Sequence, residues 1–390
     1  MFVLMTTFSP KAIFPDSSTL SRCSESLPGL PKEFSLIRLF LLSYTQSADT
    51  YNAYRREVER YVQWVWFIKK TSVADITRHE FIEYIKFFQS PPLVWVAPQN
   101  YPRFIEDIPN KLWRPFVVPV GKSRTVGPAT MKSMLGCLST MYTFLVHEGY
   151  VVQNPIQMIK QKKQLVKHSH GSRIKRRLSP VQWRYVIDVA ESEANADIQK
   201  ERNLYVLSLF YLLGLRISEI SQSASDFKSM SLFYRDNNKR WWFEAHGKGN
   251  KTRDVAVPDA MMDALARYRM RMGLDATPSP TDFSPLVPKL KGDGGLGQRQ
   301  IRALVAYSFE KAVLQMVECG LREEAHLLQQ ATVHWLRHTS ISEDVRNRPS
   351  EHVRDDVGHN DIATTSLYID VLDANRHESA KDKQLRPDDY

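Results

Sequence analysis

The sequence predicts a mainly α protein with a small antiparallel β-sheet, built as a helical N-terminal domain and a mixed α/β C-terminal domain. Three observations carry this. Apolar residues recur at helical spacing in long segments, as in Tyr51, Tyr54, Val58, Tyr61, Val62 and Val65, and again in Met131, Met134, Leu135, Leu138, Met141, Tyr142 and Leu145. One later segment, residues 231–258, reads instead as short strands, SLFY and RWWFEAHG, with the turn-like DNNK between them. Between these regions, Lys160–Arg177 holds eight Lys or Arg and no acid. Like-charge crowding keeps such a run extended, so it reads as a linker. A chain of 390 residues is long enough for a core on each side.

Taken in order, residues 1–34 are rich in Ser, Pro and Thr without a sustained period and read as a flexible leader. The N-terminal domain is expected over 35–159. A helix is expected from Ser35 to Leu42, and a stronger one after Asp49 and Thr50, with Arg55, Arg56, Glu59 and Arg60 filling its other face. Thr77 and Glu80 form a capping box for a helix that runs to Phe88. Residues 89–126, dense in Pro and aromatics, are long for a loop. They read as an irregular surface insertion, whose Lys111, Arg114, Lys122 and Arg124 could add a DNA contact. Pro128–Gly149 is helical, and Gly149 ends it. After the linker, a second domain is expected over 178–376. Ser179 caps its first helix and Pro180 takes the first helical position. The segment YVLSLFYLLGL (Tyr205–Leu215) is a buried helix, Asp259–Met272 an amphipathic one and Gln298–Gly320 another, with a Pro- and Gly-rich loop over 275–296. Residues 377–390 form a charged tail.

Composition narrows the function classes. The net charge is +10 and the pI about 9.3, which favours a polyanionic partner. The three cysteines lie far apart without metal-type spacing, so a disulfide framework is not expected and a reducing compartment fits. No segment approaches 18 uninterrupted apolar residues, and the N-terminus is a poor signal peptide. The expectation is a soluble, intracellular protein. GKGNK around Lys248 is not a P-loop, because no helix follows the Lys and G-x-x-x-x-G-K-[ST] is absent.

The chemistry concentrates near the C-terminus. TVHWLRHTS places His334 and Arg337 three apart, on one face of a helix. VGHNDIATTSLYI follows, with His359 after Gly358 and Tyr368 nine residues on. Arg offers a planar fork for phosphate oxygens. His moves protons near neutral pH, and Tyr can act as a covalent nucleophile. Together they suit a phosphodiester without a cofactor or metal. Upstream, LLGLRISEI places Arg216 after Gly214 and Glu219 three residues on. A lone His, Tyr or surface Arg is usually structural, so the joint occurrence carries the weight.

This set resembles the tyrosine recombinase (phage integrase) family, whose C-terminal box reads H-x-x-R-H-T, later G-H, later Y. The resemblance covers roughly residues 36–376, including the close G-Y-x-x-x-N-P at Asn154-Pro155. It implies a core-binding domain at 35–159 and a catalytic domain at 178–376. It also implies six catalytic positions: Arg216, Lys248, His334, Arg337, His359 and Tyr368, with Lys251 the fallback for Lys248 and Glu219 supporting. The implied activity is site-specific DNA recombination through a 3′-phosphotyrosyl link; between a mobile-element integrase and a chromosome-dimer resolvase, the leader and the long insertion lean toward the mobile element. The implied partners are double-stranded DNA, a homotetramer on paired sites and accessory DNA-bending proteins. Arg55, Arg56, Lys160, Lys162, Lys163, Arg173, Lys175, Arg176, Arg177 and Arg299 are the expected DNA contacts. A type IB topoisomerase and a non-catalytic DNA-binding regulator are the competing readings. One departure from the family is SEDVRNRPSEHVRDD, Ser342–Asp356, which is more polar than the family's apolar helix and is interrupted by Pro349.

Overall fold

The computed structural model describes residues 10–15, 33–123, 125–159, 176–223, 226–247 and 252–358. Chain contacts separate two compact units, Met1–Ser172 and Arg173–Tyr390.

The first unit is helical. Helices α1 (Glu33–Leu42), α2 (Ala48–Gln63), α3 (Arg78–Gln89) and α4 (Pro128–His147) bury an aromatic core around Tyr61, Tyr84, Phe88 and Tyr142. Ser47, not Asp49 or Thr50, caps α2, its side chain accepting from the Thr50 N–H. Beyond Gln63 the helix continues in wider π turns to Lys69, which seats Trp64 and Trp66 in the core. The Thr77–Glu80 capping box of α3 is present as read. Two expectations need correction. Residues 10–15, read as part of a flexible leader, are packed: Phe14 is buried and stacks on Phe34 at 5.2 Å. On the charged face of α2 only Arg56 is exposed: Arg55, Glu59 and Arg60 are buried, as is Glu57 beside them.

That burial comes from the 89–126 segment together with residues 10–15. The 89–126 segment contains two small sheets, a parallel pair β1 (Val96–Ala97) with β4 (Phe116–Val117), and a hairpin of β2 (Phe104–Ile105) with β3 (Ile108–Pro109). Trp95, Ala97, Trp113 and Phe116 are buried. Arg60 donates through Nε and Nη2 to the Pro115 carbonyl at 2.8 and 2.7 Å and lies over the Phe116 ring at 4.3 Å. Arg103 pairs with Glu59 and lies over Trp113. Buried guanidiniums must find such partners, and here the partners arrive from the inserted segment and from residues 10–15.

The second unit packs helices around a three-stranded antiparallel sheet of order β5–β6–β7, with β5 Phe233–Arg235, β6 Trp241–His246 and β7 Thr252–Ala256. The sheet matches the strand reading of 231–258. Helices α5 (Pro180–Ala196), α6 (Glu201–Leu213), the short α7 (Ile217–Ile220), α8 (Asp259–Arg271), α9 (Gln298–Glu318), α10 (Arg322–Leu328), α11 (Val333–Asn347) and α12 (Ser350–Val357) complete it. Ser179 caps α5 in a capping box with Gln182, and Pro180 opens the helix. The core gathers α6 residues such as Leu207 and Phe210 with Phe243, Leu265, Val305 and Leu336. Pro349 separates α11 from α12, because it lacks the N–H that would continue the first helix. No described helix is long and apolar enough to cross a membrane.

Candidate active site

Helix α6 ends at Gly214, whose φ of +58° a side chain would strain. A Cβ there would also meet Ser340 Oγ at 3.1 Å. This tight turn places Arg216 at the N-cap of α7. The Arg216 side chain is 36% exposed, and its Nη1 lies 3.0 Å from Glu219 Oε1. Its backbone N–H donates to Glu219 Oε2 at 2.7 Å.

Glu219 is fully buried. Burial pushes its carboxyl up. Hydrogen bonds and charge from Arg253, then the Arg216 N–H and the Arg337 charge, outweigh that and hold it below the ordinary carboxylate value. It therefore stays ionised and can hold Arg216 in place.

Helix α11 supplies the second wall. Arg337 is 4% exposed; its Nη1 donates to the Gly214 carbonyl and its Nη2 to the Val357 carbonyl at 2.7 Å. His334 lies one turn earlier and is exposed, its ring edge-on to His338 with centroids 4.4 Å apart. Partial desolvation, then the charges of Arg337, Arg176 and Arg216, hold its imidazole below the ordinary value.

These side chains meet at one cleft of about 590 Å³. Phe210, Leu215, Val305, Phe309 and Val333 give it an apolar lining, and Arg216, Arg302, His334 and Arg337 line it with cationic or protonatable groups. Such a cleft fits an anion attached to a larger apolar or stacked body, as a phosphodiester in DNA is. Three sequence-predicted positions, Arg216, His334 and Arg337, thus converge from segments more than 100 residues apart. Arg302 lines the same cleft. Lys248, Lys251, His359 and Tyr368 lie outside the described residues, as do Lys160, Lys162, Lys163, Arg173 and Lys175.

Among the expected DNA contacts, Arg55 needs correction. It is 7% exposed and donates to the Pro15 carbonyl at 3.0 Å, so it belongs to the interior of the first unit. Arg56 is exposed, paired to Glu57 at 2.8 Å. Arg176 is exposed, Arg177 half-buried, and Arg299 exposed in the first turn of α9. Sequence reading passed over Arg253 on β7, which grips Glu219 with both terminal nitrogens, at 2.6 and 3.0 Å. Its only signal in sequence is an Arg within a short strand, and its partner lies 34 residues upstream.

The sequence pattern of the phage integrase family matches residues 176–375, just over half of the chain. The tyrosine recombinase XerC of Azotobacter vinelandii is 27% identical over 240 residues, covering 61% of this chain and 68% of that protein. A XerH site-specific recombinase in a post-cleavage complex with palindromic difH substrate aligns at TM-score 0.56 and 15% identity, over 94% of each chain. A lambda integrase dimer bound to a COC′ core site aligns at TM-score 0.52 and 12% identity, over 91% of this chain and 80% of that one. At such identities the two structures speak to the fold.

Proposed function

This chain belongs to the phage integrase family, and from that premise we propose that it is a tyrosine site-specific recombinase that cuts and rejoins DNA through a 3′-phosphotyrosyl intermediate. The observation that carries the reading is the meeting of Arg216, Arg337 and His334 at one cleft. Two guanidiniums there oppose the negative charge that grows on the non-bridging oxygens as a fifth oxygen approaches phosphorus. His334 lines the same cleft and donates an N–H to the same oxygens.

In this reading the Tyr368 oxygen attacks phosphorus, the P–O5′ bond breaks, and the strand is left with a free 5′-hydroxyl. A phenol has a pKa of about 10, so His359 takes or shares its proton. Lys248, with Lys251 as fallback, gives a proton to the departing 5′-oxygen. The phosphotyrosyl ester keeps the energy of the broken bond. A second 5′-hydroxyl therefore reseals the strand without ATP, and recombination is the natural outcome.

The substrate is double-stranded DNA, and the basic run Lys160–Arg177 would follow its phosphates. Neutralising about five of them would steepen the salt dependence to roughly 4–5 decades of affinity per decade of salt. We place the protein as a homotetramer on two paired sites, aided by accessory DNA-bending proteins and serving a mobile element. Incubating nicked duplexes tiled across the DNA flanking its own gene should trap a covalent adduct at one site. Tyr368→Phe should bind the same duplex and trap none. Binding without an adduct in the wild type would instead make the protein a regulator, and relaxation of a single plasmid without two-site exchange would make it a topoisomerase.

A further inference from the structure

The polar stretch that departs from the family pattern ends in an unusual helix terminus. The last carbonyls of α12 have no partner within the helix. Two guanidiniums from distant segments reach them: Arg337 takes the Val357 carbonyl, and Arg253 Nε takes the Asp356 carbonyl at 2.6 Å. Cations at a helix C-terminus also complement its dipole. Arg253 spends its two remaining nitrogens on Glu219. The Asp356 side chain adds two ties, accepting from the Ala256 N–H on β7 at 3.3 Å and from Arg348 Nη2 at 2.5 Å. Gly358 closes α12 at φ +63°, and a Cβ there would sit 2.9 Å from Arg253 Cδ. Glycine is thus required both by the backbone and by the approach of this one arginine.

We propose that Arg253 is a positioning residue: it locks the orientation of Arg216, through Glu219, to the end of α12, the chain position from which the His359 segment departs. Asp356 is the second anchor of the same latch. Glu219 accepts from Arg253 through both carboxylate oxygens while it also holds Arg216 Nη1 and the Arg216 N–H. A guanidinium is the one side chain with three donor nitrogens in a rigid fork able to serve both partners. Lysine offers a single charged nitrogen and cannot hold both.

The proposal rests on the recombinase reading for its consequence, but its geometry can be tested apart from activity. Arg253→Lys keeps the charge beside buried Glu219 and so protects folding. In this variant, amide hydrogen exchange should quicken together in 216–220 and in 353–358, with α5 and α8 unchanged. On a nicked duplex carrying the mapped site, its single-turnover cleavage at saturating DNA should fall by about 100-fold, with Kd within about threefold of wild type. Arg253→Ala should fall further and recover part of its rate in millimolar guanidinium, which a loss of fold would not. Unchanged exchange in 353–358, a wild-type cleavage rate in Arg253→Lys, or a rate that falls only in step with binding and melting temperature would overturn the latch. A wild-type protein that forms no adduct overturns the recombinase reading instead, and the exchange comparison still decides the latch.

Discussion

Each unit of this protein buries charged groups, and the two do so for opposite ends. In the first unit, Arg60 is enclosed: its guanidinium meets the Pro115 carbonyl, the Phe116 ring and Glu57, whose side chain is 1% exposed. In the second, Glu219 is buried as deeply, but the Arg216 it holds keeps 36% of its side chain exposed, at a cleft. The first arrangement satisfies every partner within the protein and leaves nothing for a ligand. The second buries the carboxylate and presents the cation. The difference teaches where to look for chemistry: a buried acid with an exposed guanidinium is a holder and its tool, whereas a buried pair roofed by aromatics is scaffold.

The largest way to break this comparison is Arg216→Ala. It should lower covalent adduct formation by roughly 10²–10³-fold, while the melting temperature hardly moves, since Glu219 keeps its paired contact with Arg253. Single-turnover trapping on a nicked duplex, beside a thermal melt, checks both halves. A melt that fell as far as the rate would make Arg216 scaffold like Arg60.

Arg60→Ala should do the reverse. Among the described residues Glu57 then keeps only the exposed Arg56 at 2.8 Å as partner, so the loss should stay below the roughly 3–5 kcal/mol of a fully unpaired buried charge, read as a drop in the urea midpoint. Cleavage per folded molecule should stay at the wild-type level. A selective loss of cleavage with unchanged stability would erase the distinction between the two units.

The smallest effect sharpens the cleft. His334 should titrate below the free imidazole value in the unbound protein, because partial desolvation and the nearby arginines disfavour its charge. DNA binding should move that titration upward, since a phosphate neutralises those same charges. In NMR, a His334 titration at or above the free value without DNA would count against the cleft electrostatics. A base depressed in the folded state binds fewer protons folded than unfolded, so its contribution is full above the unfolded value near pH 6.5 and is lost as pH falls through that region. Because His334 is exposed, this term should be small.

Much of the second unit was legible in sequence because its signals are local. His334 and Arg337 are three apart on a helix, Arg216 and Glu219 are three apart at a helix start, and Gly214 must tolerate positive φ. Ser179-Pro180 and Thr77-Glu80 declared their caps for the same reason. The first unit was misread where the partner was remote. The face of α2 bearing Arg55, Glu59 and Arg60 looks like a solvated stripe until residues 10–15 and 89–126 cover it. Arg60 and the Pro115 carbonyl are 55 positions apart, and no periodicity encodes that contact.

By itself, then, the amino-acid order determined the helices, the hairpin sheet and the local spacing of Arg216 with Glu219 and of His334 with Arg337, since each depends on spacing along a few turns of chain. Only the tertiary structure decided which charges are roofed and which face the cleft. It alone brought Arg253 to Glu219 and to the end of α12. Such contacts depend on which surfaces exclude water together, and a guanidinium's role changes with the dielectric and partners it meets there.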